Sequence, residues 1–547
     1  MQQASVKRNL FLIGISILVL IFIGIGVRSF FIRKPVIETI LPISAGTGDT
    51  ITIYGSNFGQ LSGDARVEFN GIPVQRTAYL EWKDNSIRLT VPLLDKTPII
   101  KVRTSSGYYS NGKIIACKDK LPGFPNENSE QAVGPVIVSI DVKDAVTGGL
   151  LIIKGYNFGI NRGTSEVIFT AQTVASAIDG TGLSESIVAD SDEDYTSWSD
   201  KEIQMRIPDG AVSGPIWVKT LQGQSKPQFL QLQNIAKKRF ITKRTYALES
   251  FTSISKIKAK PGGLLYIWRK MPVSTDTQRN IKLLESSTQP LYADNQVTCF
   301  LIQNPETVVE YTIVQRYLVQ SISYTVEVNP DEIQIPKTGL PSLYTKYTAS
   351  SDLVPADDAS IQDFARNSVQ NEKNPYRRAL LVLNALRKTY TVQSKKGDTP
   401  VAALRAKSGS VRALALLYTA ALRSLGIPER PVAGIIIDDN KKAHEHYWCE
   451  FFIYGVGWVP VDPALYMNAL TFELTNPFSS TDKYFGSLDD RHIAFSLDSY
   501  KVSRLLPDGK TSRSEKEWSF IDINEEYSHE IQSYTSFWSD IEVTGIY

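Results

Sequence analysis

The chain opens with an apolar segment before any alternating pattern begins. Residues 10–27 carry no charged side chain, and Phe30, Phe31 and Ile32 extend the apolar run beyond Arg28. A stretch of this length predicts a transmembrane helix over residues 10–32, after a short tail at residues 1–9. A cleaved signal peptide is the alternative, but the residues after Val27 form a poor cleavage site. An uncleaved N-terminal anchor is therefore favoured.

From residue 35 onward, short runs alternate apolar and polar residues between Gly, Asn and Pro. This period of two predicts antiparallel strands of a sandwich. Residues 51–59 (ITIYGSNFG) return as residues 151–159 (LIIKGYNFG), an offset of 100, whereas residues 82–92 return at 198–208, an offset of 116. The sequence therefore predicts two copies of one β module, at residues 35–118 and 134–233, joined by a linker at residues 119–133.

The repeated turn has a physical explanation. Glycine permits a positive φ, asparagine tolerates one, and phenylalanine can plug the edge of the sheet into the core. The GSNFG and GYNFG turns, together with the later W-x-D-x-x-I strand, resemble the IPT/TIG family of immunoglobulin-like modules. That resemblance implies spacers, adhesion units or ligand platforms, and it does not name a ligand.

The larger offset in the second copy reflects an acidic insertion. It contains Asp190, Asp192, Glu193 and Asp194. Calcium could bind such a segment, but its carboxylates lack a regular ligand spacing. The sequence favours a solvated surface loop, with no metal bound there.

The alternation continues from residue 244 and then gives way to helical spacing. A further β domain is predicted at residues 244–345, followed by an α+β domain at residues 355–547. Helices are expected at residues 358–370, from the Asn374-Pro375 start signal to Tyr390, and at residues 411–425, where Gly426 ends the last one. Strands are expected at residues 430–437 and 446–453.

Composition supports a folded, multidomain chain and removes some classes of partner. The chain has 547 residues, and 59 Lys and Arg against 57 Asp and Glu give a net charge of +2. This balance does not favour a nucleic-acid partner. Three cysteines lie far apart, at 117, 299 and 449, which disfavours a disulfide-stapled fold and a cysteine-based zinc site. No cofactor is indicated.

The α+β domain carries the order of parts found in cysteine-type acyl transfer. A helix comes first, a strand with His446 follows, and Asp462 follows that strand. Such chemistry needs a thiol at a helix N-terminus, a histidine base and a carboxylate that orients the histidine ring.

The same region resembles the transglutaminase-like superfamily, which has a papain-like core, over about residues 355–500. The matching blocks are GIPxR at 426–430, H-x-W-x-E at 446–450 and GW…DP at 457–463, and residues 491–493 resemble a later strand of the family. The resemblance implies that His446 is the base and that Asp462 orients it.

One position departs from the family pattern. Counted back from Gly426 without a gap, the position of the catalytic cysteine falls on Val411, whose side chain cannot attack a carbonyl. Ser410 is the candidate substitute for the nucleophile, but it lies one residue out of register, and a serine at this position more commonly serves as a helix N-cap. Cys449 lies three residues from His446, which predicts the opposite face of the strand.

The strand with His446 also carries residue types that can bind a metal. His444, His446 and Glu450 share strand parity, and two histidines with a carboxylate can bind a divalent metal. No fourth ligand is apparent, so no metal ligand is assigned from the sequence.

The leading hypothesis is a membrane-anchored, extracytoplasmic protein that binds peptide or cell-envelope material without catalysis. The charges flanking residues 10–32 do not decide the orientation; the domain types place the bulk of the chain outside the cytoplasm. Two alternatives remain open. One is an active peptidase or acyltransferase that uses Ser410 with His446 and Asp462, and the other is a purely structural adhesion or assembly protein.

Overall fold

The computed structural model describes residues 34–42, 44–92, 98–117, 134–172, 183–187, 194–233, 236–293, 296–303, 305, 310–333, 342–393, 399–470, 472–506, 508–513 and 518–547. The chain forms two compact units, Met1–Ser129 and Glu130–Tyr547. The predicted anchor at residues 10–32 and most of the acidic insertion lie outside the described residues. Within the described part of the chain, every helix is too short or too polar to span a bilayer.

The first unit is a sandwich of short strands. They are β1 (Val36–Leu41), β2 (Ser44–Ala45), β3 (Thr50–Ser56), β4 (Arg66–Phe69), β5 (Ile72–Pro73), β6 (Tyr79–Lys83), β7 (Ser86–Thr90), β8 (Ile99–Arg103), β9 (Lys113–Ile114) and β10 (Ala116–Cys117). One sheet has the order β1-β3-β7-β6 and the other β5-β4-β8-β9, while β2 pairs with β10. Alternate side chains such as Ile51 and Ile53 are fully buried between the sheets, as the period of two predicts.

The second unit begins with the same module. Its strands are β11 (Val136–Val142), β12 (Leu150–Tyr156), β13 (Glu166–Gln172), β14 (Leu183–Ile187), β15 (Tyr195–Trp198), β16 (Glu202–Arg206), β17 (Gly214–Thr220), β18 (Gly223–Gln224) and β19 (Gln228–Leu230). The sheet β11-β12-β16-β15 repeats the order of β1-β3-β7-β6. The first strand pair even has its irregularity at the same place, between Ile37 and Thr39 and between Ile137 and Ser139.

The repeated turn adopts the expected conformation in both copies. Asn57 and Asn157 have φ of 60° and 63°, and the phenylalanine that follows each is buried in its core. The first glycine of the turn allows the backbones of β1 and β3 to lie close together, because a Cβ on Gly55 would lie 1.9 Å from the Val36 carbonyl oxygen.

Two unusually long strands build the β region. The strands are β20 (Ala236–Ala259), β21 (Leu264–Lys270), β22 (Gln278–Ser286), β23 (Tyr292–Ala293), β24 (Val297–Gln303) and β25 (Glu310–Val328). Strands β20 and β25 pair antiparallel over almost their whole length. They form the middle of one sheet, and β21 and β24 lie in a second one.

The α+β core packs helices on a four-stranded sheet. The helices are α1 (Ser342–Thr348), α2 (Ala359–Val369), α3 (Pro375–Thr389), α4 (Pro400–Ala406), α5 (Val411–Ser424) and α6 (Pro463–Tyr466); the strands are β26 (Thr391–Val392), β27 (Ser408–Gly409), β28 (Glu429–Ile437), β29 (Ala443–Ile453), β30 (Gly457–Val461), β31 (Ser487–Leu488) and β32 (His492–Leu497). The sheet order is β30-β29-β28-β32. Residues 413–423 of α5 are all buried, which marks α5 as the central helix of the core.

The helix ends follow the signals in the sequence. Asn374 caps α3 by accepting a hydrogen bond from the Arg377 N–H, with Pro375 in the first turn. At the end of α5, Gly426 has φ of 76°, and the Ile427 N–H donates to the Leu422 carbonyl at 3.1 Å. This is a Schellman ending, and it confirms the predicted stop. Helices α1 and α4 were not predicted.

The last strands correct the predicted domain boundary. They are β33 (Lys510–Ser512), β34 (Glu525–Tyr527), β35 (Ile531–Trp538) and β36 (Glu542–Ile546). The sequence analysis assigned them to the domain at residues 355–547. Instead β35 and β36 pair with β20, and β34 pairs with β21. The chain returns to the β region because the long β20 offers an edge that β25 leaves unpaired.

Buried charges join the second module, the β region and the core. Lys238 of β20 donates to Asp209 at 2.9 Å and also to Asp276. Burial opposes the charge on Lys238, but the two carboxylates outweigh it and hold its pKa above the usual value. The Trp458 N–H also donates to Asp209, and the Tyr454 hydroxyl donates to Asp144 at 2.7 Å. These contacts fix the core against the second module.

Candidate functional site

The start of α5 is where a transglutaminase-like site would need its nucleophile. Val411 is the first residue of α5, is half-buried and packs against the main core cluster. Ser410 is the N-cap, and its hydroxyl oxygen accepts a hydrogen bond from the Ala413 N–H at 3.0 Å. The serine therefore satisfies one of the free N–H groups of the helix.

The base and its orienter come from neighbouring strands. His446 lies in β29, and Asp462 follows β30, which pairs with β29. The Nε2 atom of His446 lies 2.5 Å from Oδ2 of Asp462, and both side chains are buried. Asp462 is also the N-cap of α6, where its Oδ1 accepts from the Leu465 N–H at 3.0 Å. The structure places the two predicted site residues in contact; their catalytic roles stay a prediction.

A second histidine shares the same carboxylate. His492, in β32, has Nε2 at 3.0 Å from Oδ2 of Asp462. Its other ring nitrogen, Nδ1, lies 2.9 Å from Oδ1 of Asp489, whose Oδ2 accepts from the Tyr484 hydroxyl at 2.8 Å. The result is a buried polar chain that runs from His446 through Asp462 and His492 to Asp489 and Tyr484. The sequence analysis noted residues 491–493 only as a strand and did not assign His492 to the site.

Gly434 of β28 allows β32, which carries His492, to lie close to the sheet that carries His446. Gly434 pairs with His446 on one side and with Ala494 on the other, and the pairing with β32 shifts at this point. A Cβ on Gly434 would lie 2.1 Å from the Ile493 carbonyl oxygen. A larger residue would therefore push β32, and His492 with it, away from the sheet.

The buried carboxylates and histidines of this chain shift one another's pKa values. Burial raises the pKa of Asp462, but the two histidines outweigh it and hold the pKa well below the usual value. Burial lowers the pKa of His492, but Asp489 and the hydrogen bond to Asp462 outweigh it and raise the pKa to about 9. The two carboxylates beside His492 therefore favour its charged form.

No thiol or hydroxyl group in the described part of the chain is hydrogen-bonded to the His446 ring. Cys449 is buried against α5, with its sulfur 3.4 Å from the Ala415 carbonyl oxygen and 3.7 Å from the Thr419 hydroxyl. Burial raises the pKa of its thiol well above the usual value. An inert core thiol fits this environment.

His444 and Glu450, which share strand parity with His446, contact other side chains. Nε2 of His444 lies 2.8 Å from an Asp438 oxygen, and its ring stacks on Phe472. Glu450 accepts a hydrogen bond from Arg430 at 2.8 Å. His444 and Glu450 therefore do not join His446.

Glu429, at the start of β28, is a buried acid whose two carboxyl oxygens have no hydrogen-bond partner within the described residues. Burial raises its pKa from 4.5 to about 8, although the nearby Thr419 hydroxyl and the Arg423 charge oppose the shift. Between these values the folded chain keeps a proton that the unfolded chain has lost. The free energy of unfolding should therefore fall as pH rises through this window, by at most about 1.4 kcal/mol per pH unit.

We expect Glu429→Gln to remove this slope and to be more stable than the wild type at pH 8. Urea unfolding of both proteins between pH 5 and pH 8 measures the effect, with Glu542→Gln on an exposed strand as the control. Equal slopes for Glu429→Gln and the wild type would show that Glu429 is ionised in the folded chain.

Comparison with known families supports the two resemblances. Residues 362–463 match the model of the transglutaminase-like superfamily, and residues 35–114 match the model of the IPT/TIG domain. A search of curated proteins finds no significant match.

Similar solved structures are remote. A candidate cysteine protease from Cytophaga hutchinsonii has 12% identity and a TM-score of 0.37 over 57% of this chain and 92% of its own. A TGase has 13% identity and a TM-score of 0.20 over 44% of this chain and 56% of its own. A surface glycan-binding protein from Prevotella bryantii has 12% identity and a TM-score of 0.17 over 53% of this chain and 99% of its own. At scores this low, none of them informs the site.

Proposed function

We propose that this chain, which carries an IPT/TIG domain at residues 35–114 and a transglutaminase-like core at residues 362–463, is a non-catalytic peptide-binding protein. The observation that carries the proposal is the valine at the first position of α5, in a core that retains the contact between His446 and Asp462. A base without a nucleophile cannot start acyl transfer.

The two candidate substitutes for the nucleophile are both engaged elsewhere. The Ser410 hydroxyl caps α5, and an alanine at an N-cap typically lowers helix stability by about 1 kcal/mol. The Cys449 thiol is packed beneath α5. Their environments support structural roles for both residues.

A spare hydrogen-bond donor beside His446 supports binding of a peptide. The Trp448 ring stacks near His446, with ring centroids 6.3 Å apart, and its indole N–H is buried with no partner in the described part of the chain. A buried donor without an acceptor is unfavourable. The carbonyl oxygen of a bound peptide would satisfy this donor.

We also propose that residues 10–32 anchor the chain in a membrane and that the remaining chain lies outside the cytoplasm. The uncharged run of residues 10–27 supports the anchor. On this proposal, the IPT/TIG modules are spacers between the membrane and the core.

Photo-crosslinking tests the binding function. The full chain in detergent is mixed with a pool of benzophenone-labelled peptides, irradiated, and mapped by mass spectrometry. We expect light-dependent adducts near Val411 and Trp448, with all peptides left intact. Val411→Trp should block the adducts, whereas Leu381→Trp, on the partly exposed face of α3, should not. Cleaved peptides, or adducts formed without light, would contradict the proposal.

A further inference from the structure

Three potential metal-binding side chains converge from separate segments of the core. His446, Asp462 and His492 each offer one ligand atom within 4.8 Å of the other two, and all three residues are buried. We propose that they form a structural binding site for a divalent transition metal, with zinc as the best match. This proposal does not rest on the proposed peptide-binding function.

The chemistry of the three donors fits zinc. Two imidazole nitrogens and one carboxylate oxygen are ligands that zinc accepts, and zinc takes a fourth ligand from water or from the chain. Calcium and magnesium prefer sites made of oxygen ligands. The N₂O donor set therefore selects a transition metal over these cations.

The surrounding contacts have the form expected around metal ligands. Nδ1 of His492 lies 2.9 Å from a carboxylate oxygen of Asp489, which leaves Nε2 as the nitrogen that faces the cluster. Oδ1 of Asp462 accepts from the Leu465 N–H, which leaves Oδ2 as the ligating oxygen. A carboxylate behind a ligating histidine fixes the ring and raises its basicity.

An acyl-transfer dyad does not account for His492. Orienting His446 requires only Asp462, yet a second buried histidine reaches the same oxygen and carries its own carboxylate. The close approach of β32 at Gly434 makes this convergence possible. Two histidines aimed at one carboxylate oxygen can hold either protons or a metal ion between them.

Metal binding replaces the two hydrogen bonds to Asp462. Each histidine gives up the proton on Nε2, so that a nitrogen lone pair faces the metal. His492 keeps its Nδ1 proton on Asp489 and releases the Nε2 proton to solvent, while the ring proton of His446 moves from Nε2 to Nδ1. No oxidant or reductant is involved, and the metal links β29, β32 and the start of α6.

Zinc content and zinc-dependent stability test the proposal. The full chain is stripped with a chelator, reloaded with zinc, dialysed and measured by plasma mass spectrometry and thermal unfolding. We expect a single zinc ion per chain and a higher Tm with zinc. His446→Gln and His492→Gln should each lose both effects, whereas His444→Gln, which alters a histidine of the same strand outside the cluster, should keep them. Asp489→Asn should weaken zinc affinity roughly 10–100-fold.

Cobalt gives a second readout, which in the wild type reports the ligand geometry without any substitution. Cobalt-loaded wild type should show the intense visible absorption of a tetrahedral site, and His444→Gln should show the same spectrum. The proposal would be overturned if the wild type took up no zinc. It would also be overturned if zinc binding survived in both His446→Gln and His492→Gln, or if binding were lost in His444→Gln.

Discussion

Replacing Val411 with cysteine is expected to create the most reactive thiol in the described part of the chain. The new side chain would occupy the first position of α5, where free backbone N–H groups and the helix dipole stabilise a thiolate. Thiols in such positions have pKa values of about 3.5–7.5. We therefore expect iodoacetamide to alkylate Val411→Cys at pH 6, where an ordinary cysteine is mostly protonated.

The background for this experiment is low, because burial raises the pKa of Cys299 and Cys449 well above the usual value. The rate of alkylation is followed by peptide mass spectrometry against pH, which also resolves Cys117. Adding His446→Ala to Val411→Cys should raise the apparent pKa of the thiol. A Val411→Cys thiol that titrates like free cysteine, with or without His446, would show that the geometry of the family site has been lost.

Asp462→Ala is expected to cause the largest loss of stability at the site. The substitution removes the partner of two buried histidines and the cap of α6 in one step. Removing one member of a buried charged pair usually lowers the free energy of unfolding by about 3–5 kcal/mol, and here both buried histidines lose the oxygen that their Nε2 atoms contact. Urea unfolding of the metal-free protein at pH 7 measures the loss.

Asp482→Ala is the matched control, since Asp482 pairs with Arg387 on the exposed surface of the same core. It should have a much smaller effect, because solvent screens an exposed pair. Similar losses for Asp462→Ala and Asp482→Ala would show that the buried chain of His446, Asp462 and His492 contributes little to stability.

Local patterns predicted three helices of the core, α2, α3 and α5, and two of its strands, β28 and β29. The cap and proline at 374–375 and the stop at Gly426 fixed helix ends because capping depends on neighbouring residues. The sequence also predicted the two-module repeat, because both copies place the same residue types in the same turn.

Local sequence patterns did not predict which distant strands pair with each other. His492 reaches Asp462 only because β32 pairs with β28 and shifts register at Gly434. The pairing of β35 and β36 with β20 likewise joins residues that lie 272 to 300 positions apart in the chain. One sequence signal could have indicated that His492 belongs to the site. It is the combination of a histidine inside an apolar strand with a glycine in the apolar run of β28.

Active-site labelling of the wild-type chain tests the central claim most directly. The full chain is treated in its native state with a fluorophosphonate and, separately, with iodoacetamide, and its mass and the modified residue are determined. The absence of a nucleophile beside His446 predicts no adduct on Ser410 or Cys449 under native conditions. A stoichiometric adduct on either residue that disappears in His446→Ala would contradict it and would identify a working catalyst.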